Sequence, residues 1–139
     1  MPLCVDASVA VKWFVPEEGQ SEALVLWQRY ADGERIVVPD LFFVEVANGF
    51  KHHAQAGNLA EEELRQAAEL LAALQVDSRS TQGLVGAALR LADELRLTVY
   101  DAMYVAVAQE HEAELWTADQ RLHKRVRKVL PTTQLLTWQ

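Results

Sequence analysis

The 139-residue sequence predicts an α/β fold built on a mostly parallel sheet. Three observations predict it. Short apolar runs at Leu3-Cys4-Val5, Ile36-Val37-Val38 and Glu114-Leu-Trp-Thr117 read as buried strands. Longer amphipathic stretches separate them, which implies βαβ units with right-handed crossovers. Half the residues are hydrophobic, and neither a linker, a repeat nor a low-complexity segment divides the chain, so residues 1–139 are expected to form one domain.

The elements follow in order. Leu3–Val5 is a strand ending at Asp6, after which Ser8 is placed to cap a helix that Pro16 stops after Val15. Ser21 to Tyr30 is a second helix, with Ala23, Leu24, Leu26, Trp27 and Tyr30 as its apolar face, and Gly33 ends it. The strand at Ile36–Val38 closes at Pro39-Asp40. A long helix runs from Leu41 to Ala56, before Gly57. Asn58-Leu-Ala-Glu61 has capping-box spacing and opens a helix to Leu74, and Val76 marks a short strand. Helices are expected at Gln82–Leu95 and Val99–Glu112, then the strand ending at Thr117. A basic helix at Gln120–Val129 and a last strand at Gln134–Trp138 complete the chain.

Charge is unevenly placed. The formal net charge is −7, which argues against non-specific nucleic-acid binding by the molecule as a whole. All 20 acidic residues lie before position 121, whereas the last 19 residues hold five of the 13 basic ones and no acid. An acidic body with one basic corner can still grip a phosphate backbone locally. The one cysteine, Cys4, cannot form an internal disulfide and reads as a small buried hydrophobe, which fits a reducing cytoplasm. Asp6 and Lys12 interrupt the N-terminal apolar stretch, so no secretory leader is expected. No run approaches the ~20 apolar residues that span a bilayer.

Four acids carry the chemistry. Asp6 and Asp119 each follow a strand, and ligands of parallel sheets bind beyond the carboxyl ends of strands. Glu45 interrupts Leu41-Phe-Phe-Val-Glu-Val-Ala47, and Asp101 sits in Leu97-Thr-Val-Tyr-Asp-Ala-Met-Tyr-Val-Ala-Val-Ala108. A carboxylate in such company needs a partner, and no basic residue stands one helical turn from either. A shared divalent cation would satisfy all four. Clustered oxygen ligands suit Mg²⁺ or Mn²⁺ rather than zinc, and such an ion can polarise a phosphodiester and activate a water for in-line attack. Helix capping is the competing explanation for Asp6, for Asp101 within Thr98-Val-Tyr-Asp101 and for Asp119. It is weakest for Glu45, in mid-helix. Ser8 and Thr117, two residues from Asp6 and Asp119, either join the site's polar network or cap helices.

Four segments together resemble one family. They are Val5-Asp6-Ala7-Ser8 with Val11-Lys-Trp-Phe-Val-Pro-Glu-Glu18, Pro39-Asp-Leu-Phe-Phe-Val-Glu45-Val-Ala-Asn48, Tyr100-Asp101-Ala-Met-Tyr-Val-Ala-Val-Ala108 and Leu115-Trp-Thr-Ala-Asp119-Gln-Arg-Leu122. In this order and spacing they resemble the motifs of the PIN-domain family, and within it the VapC-type toxins of toxin–antitoxin pairs. The resemblance covers nearly the whole chain. It implies a three-layer α/β/α fold and Mg²⁺- or Mn²⁺-dependent endonuclease action on RNA. It further implies homodimers or higher oligomers and inhibition by a small cognate antitoxin. It carries catalytic and metal-ligand roles onto Asp6, Glu45, Asp101 and Asp119, with Ser8 and Thr117 in support.

Other features have lesser weight. Arg121, Lys124, Arg125 and Lys128 follow Asp119 and are the candidate RNA contacts. His111 and His123 lack cysteine partners and make a poor zinc site. Trp13, Trp27, Phe42, Phe43, Phe50 and Tyr104 read as core or dimer contacts. A phosphoacceptor receiver domain would want paired acids near the first strand and a lysine ending a late one. A haloacid-dehalogenase-like phosphatase would want Asp-x-Asp where Asp6-Ala7-Ser8 stands. A non-catalytic RNA- or protein-binding module would explain the basic corner but not Glu45 and Asp101, and a PIN-like nuclease outside a toxin pair is the nearer alternative.

Overall fold

The computed structural model describes residues 1–139. Its strands are β1 (Leu3–Val5), β2 (Val37–Pro39), β3 (Asp77–Arg79), β4 (Glu114–Thr117) and β5 (Gln134–Leu135). The helices are α1 (Ala7–Phe14), α2 (Gln20–Ala31), α3 (Leu41–Gln55), α4 (Glu61–Ala72), α5 (Thr81–Leu95), α6 (Val99–Glu110) and α7 (Gln120–Val126). β1 pairs in parallel with β4, β4 with β5, and β2 with β3. A parallel bridge from Leu3 to Ile36 joins β1 to the β2 side. The strands therefore run β3-β2-β1-β4-β5, all parallel, and the direction of winding reverses between β1 and β4.

That reversal sets the layers. Right-handed crossovers that first step toward β3 and then return toward β5 put their helices on opposite faces. α1 packs with α2 and α3, and α3 with α4. On the other side α6 lies against β1, β2 and β4 with α5 packed upon it. The α/β/α sandwich expected from the family resemblance is present. Because α6 lies between the sheet and α5, Ala102 through Ala108 are all buried, which explains its nearly uniform apolarity. Thirty-six buried hydrophobic residues form one continuous core.

Several local expectations need correction. Asp6, not Ser8, caps α1: its carboxylate accepts from Val9 N at 3.3 Å. The helix after Gly57 begins two residues later than the Asn58 signal suggested. Its N-cap is Ala60, whose N–H donates to Glu63 Oε1 at 2.9 Å, and alanine has no oxygen to return the bond. Leu24 lies on the exposed side of α2, because Ala23 and Leu26 make the buried contact. β3 is a polar edge strand at Asp77–Arg79, held by backbone pairing with β2 rather than by Val76. α7 stops at Val126 and β5 at Leu135, each shorter than the apolar pattern suggested.

One close approach governs where α3 stands. Gly49, one turn beyond Glu45, faces α1, and a Cβ there would lie 2.6 Å from Val11 Cγ2. Gly49→Ala should therefore destabilise the fold by about 1–3 kcal/mol through overpacking, outweighing the ~1 kcal/mol that alanine gains over glycine in a helix. Urea denaturation will show it, and Val11→Ala in the same chain should recover most of the loss.

Candidate active site

Asp6 leaves the carboxyl end of β1 and Asp119 follows β4, the two strands between which the winding reverses. The strand pairing continues past both ends, with Asp6 N donating to Trp116 O at 3.1 Å. Ser8 then ties the two chain ends together. Its hydroxyl donates to Asp6 Oδ1 at 2.5 Å and accepts from Ala118 N at 2.9 Å. Thr117 is fully buried, and its oxygen accepts from Asp119 N at 3.1 Å. Both residues bind the site's backbone and carboxylates together, and neither caps a helix.

Asp119 caps α7, with Oδ1 accepting from Arg121 N at 2.9 Å and Leu122 N at 3.2 Å. Asp101 lies in the first turn of α6, where Thr98 is the cap and its hydroxyl accepts from Asp101 N at 3.1 Å. Capping and site membership are thus compatible: a capping carboxylate uses one oxygen, and the Asp101 carboxylate is not the cap at all. Glu45 projects from α3 to Tyr104 of α6, whose phenol donates to Glu45 Oε1 at 2.6 Å. Tyr104 is buried and belongs beside the site rather than only to the core. The available signal was its position one turn after Asp101, on the same face of α6.

The electrostatics link the four acids. Burial pushes the Asp6 carboxyl up to about 6, against the combined pull of Ser8, Thr117 and the Val9 N–H, and the Asp101 charge raises it further. Burial also raises Glu45, and Asp101 adds to it. Asp101 is itself raised, first by burial and then by Asp119. Asp101 is the common neighbour of the other three. None of the four carboxylates is held by a lysine, arginine or histidine.

The carboxylates do not form a closed cage: no three of them stand close enough to ligate one ion directly. An all-oxygen donor set with room for water suits a small hard cation, which keeps part of its hydration shell and takes one or two carboxylates. Asp6, Asp101, Asp119 and Glu45 are the residues that would hold such an ion, directly or through water.

Asp101 and Asp119 open onto a cavity of about 150 Å³, whose other walls include Arg96, Arg121 and Arg125. Of the four basic residues marked by sequence, Arg121 and Arg125 line this cavity and Lys128 lines the next one along. Lys124 is exposed and lines neither. Arg96 was not anticipated, because it lies far from the basic helix in sequence and carried no motif. Lys12, within the first motif, is buried elsewhere. Its Nζ meets Glu17 Oε1 at 3.1 Å and lies 4.5 Å above the Trp138 ring, holding the C-terminal tail on α1.

Comparison with known proteins agrees with this fold. The family model for the PIN domain matches residues 3–129. Ribonuclease VapC3 of Pyrobaculum aerophilum is 35% identical over 129 residues, covering 90% of this chain and 95% of the relative. Ribonuclease VapC9 of Mycobacterium tuberculosis is 31% identical over 131 residues, covering 94% and 96%. Among solved structures, a toxin–antitoxin complex from Klebsiella pneumoniae superposes with a TM-score of 0.64 at 20% identity, covering 97% of this chain and 98% of that one. VapBC2 from Rickettsia felis, bound to a DNA fragment from its promoter, gives 0.65 at 15% identity over the whole of both chains. With the doubly wound parallel sheet and the acids at its switch point, these matches establish that the chain belongs to the PIN-domain family.

Proposed function

We propose that this protein is a Mg²⁺- or Mn²⁺-dependent endoribonuclease and acts as the toxin of a toxin–antitoxin pair. The observation that carries the hydrolytic reading is the group of four carboxylates at the switch point, three of them raised in pKa chiefly by burial and none balanced by a cationic side chain. RNA as substrate is supported by the VapC ribonucleases to which the chain is similar. The toxin role, the small antitoxin partner and self-association rest on the same kinship.

A bound divalent cation supplies charge neutralisation at the scissile phosphate and activation of the attacking water. The chain's own residues do the rest. Asp6 is the least mobile of the four acids, being 5% exposed and held by Ser8 and the Val9 N–H. Tyr104 fixes Glu45 Oε1 and leaves Oε2 without a hydrogen bond. Asp119 spends Oδ1 on α7, and its Oδ2 makes no hydrogen bond. Arg121 and Arg125 bring positive charge to the same cavity, where a phosphate approaching four acids would otherwise be repelled. No side-chain nucleophile is required.

Purified wild type should cleave RNA when Mg²⁺ or Mn²⁺ is added and stop when EDTA is present. Asp101→Asn should lose at least about 100-fold in rate, as expected when a cation is no longer placed to stabilise transition-state charge. Equal cleavage by wild type and Asp101→Asn refutes the site. A short neighbouring reading frame encoding a DNA-binding protein supports the toxin role; its absence favours a PIN nuclease outside a toxin pair.

The acids should also set the stability of the metal-free chain. A carboxyl whose folded pKa lies above its ordinary value favours the fold while protonated, and that favour is lost as pH rises through the window between the two. For Asp6 the window runs from 3.8 to about 6, and Glu45 and Asp101 shift in the same direction. In EDTA, Asp101→Asn should therefore melt a few degrees above wild type at neutral pH, with the gap closing toward about pH 4. Mg²⁺ should raise the wild-type melting temperature and leave the variant's nearly unchanged. Calorimetry across pH checks both.

A further inference from the structure

We propose that Arg96, Arg121, Arg125 and Lys128 form a phosphate track for single-stranded RNA, and that Arg96 sets its route away from the acids. The inference rests on the nuclease reading above and names how the substrate lies. Two adjoining cavities mark the path. The first, about 150 Å³, has Asp101 and Asp119 on its walls together with Arg96, Arg121 and Arg125. The second, about 440 Å³, is lined by Arg96, Arg125, Lys128 and the single carboxylate Glu94. Arg96 and Arg125 belong to both, so they stand where the two join. A strand whose scissile phosphate lies at the acids has its neighbouring phosphates led over this junction toward Lys128.

Two independent observations favour a polyanion on this path. The first is that these cations have no carboxylate partner. Lys12, Arg29, Arg35, Arg65 and Arg79 are each held by a carboxylate, whereas Arg96, Arg121, Arg125 and Lys128 make no salt bridge. In a chain with 20 acids against 13 bases, cations left without a carboxylate partner beside Asp101 and Asp119 are free to meet a phosphate. The second is the backbone of Arg96. It ends α5 in the left-handed region at φ 57°, a position that glycine takes most readily. The fold itself uses only its backbone: the N–H donates to Ala92 O, and the carbonyl accepts from Arg125 Nη1 and ties α7 to the end of α5. Glycine would keep those bonds and relieve the backbone. The guanidinium is thus dispensable to the structure and stands at the junction of the two cavities.

Arg96→Gly separates the two roles. Both the parent and the variant carry Asp101→Asn, so that RNA is not consumed. Binding of a fluorescent single-stranded oligoribonucleotide of mixed sequence is measured by anisotropy in Mg²⁺ across a sodium chloride series. Arg96→Gly should weaken binding about tenfold, as for loss of one hydrogen bond to a charged group. It should also lower the slope of log affinity against log salt by about 0.7, the release expected for one phosphate contact on a single strand. Its melting temperature should equal or exceed the parent's. Arg90→Ala, an unpaired cation of α5 outside both cavities, should leave affinity and slope unchanged. Equal affinity and slope for Arg96→Gly and the parent overturn the track. So does an equal loss in Arg90→Ala, which would mean diffuse surface charge, or a parent that binds no RNA. Cleavage by the wild-type chain is scored separately: its absence defeats the nuclease reading, while the binding series decides the track.

Discussion

The parallel pairing of β1 with β4 is the constraint on which the rest depends. Leu3, Cys4 and Val5 stand opposite Glu114, Leu115 and Trp116, more than a hundred residues away in the chain. Because the strands are parallel, their carboxyl ends open on the same edge. Because the winding reverses between them, the crossover helices diverge to opposite faces and leave a crevice there. Asp6 and Asp119 emerge into that crevice as a consequence of topology. Ser8 bridges the two ends, so the distance between the acids is held by the sheet and by a side chain bound to Asp6 and to Ala118 N beside Asp119.

The crevice is electrostatically unbalanced by construction. Elsewhere in the molecule acids and bases pair, as Arg29 does with Glu34 and Glu114. Around Asp101 they do not. The raised carboxyls of Asp6, Glu45 and Asp101 record a fold that buries acids at one place, with the charge of a neighbouring acid adding to the effect, a tension characteristic of functional sites. The apolar helices α3 and α6 are what make the repulsion strong: they bring Glu45 and Asp101 to the crevice through the core and exclude the water that would screen them. The same helices limit its extent, since Tyr104 gives Glu45 one neutral donor and Gly49 lets α3 approach α1 closely.

The positive side of the crevice comes from two distant parts of the chain. The basic residues of α7 reach it because Asp119 both caps that helix and borders the site. Arg96 reaches it because α5 ends in a left-handed turn beside α7. Acids and bases therefore meet at one rim without neutralising each other, an arrangement that suits a ligand carrying several phosphates along its length.

Much of this was legible in the residues alone. Alternating apolar runs and amphipathic stretches implied the parallel α/β sheet, and Glu45 and Asp101 stood out because carboxylates in apolar helices need partners. The basic corner after Asp119 was visible as composition. Local signals failed where the backbone chose between neighbours. Asp6 outcompeted Ser8 as a cap because Ser8 was needed between the strand ends, and the helix after Gly57 started at Ala60 rather than at Asn58. Contacts distant in sequence left no trace in spacing: Tyr104 on Glu45, Ser8 on Ala118 N, Arg125 on the Arg96 carbonyl. Periodicity reports which face of an element is buried, and so the sequence by itself determined the elements, their order and the four acids. Which side chains meet across elements depends on strand order and helix approach, and only the tertiary structure decided that Asp101 is the common neighbour of the other acids and that Arg96 lines the same cavity.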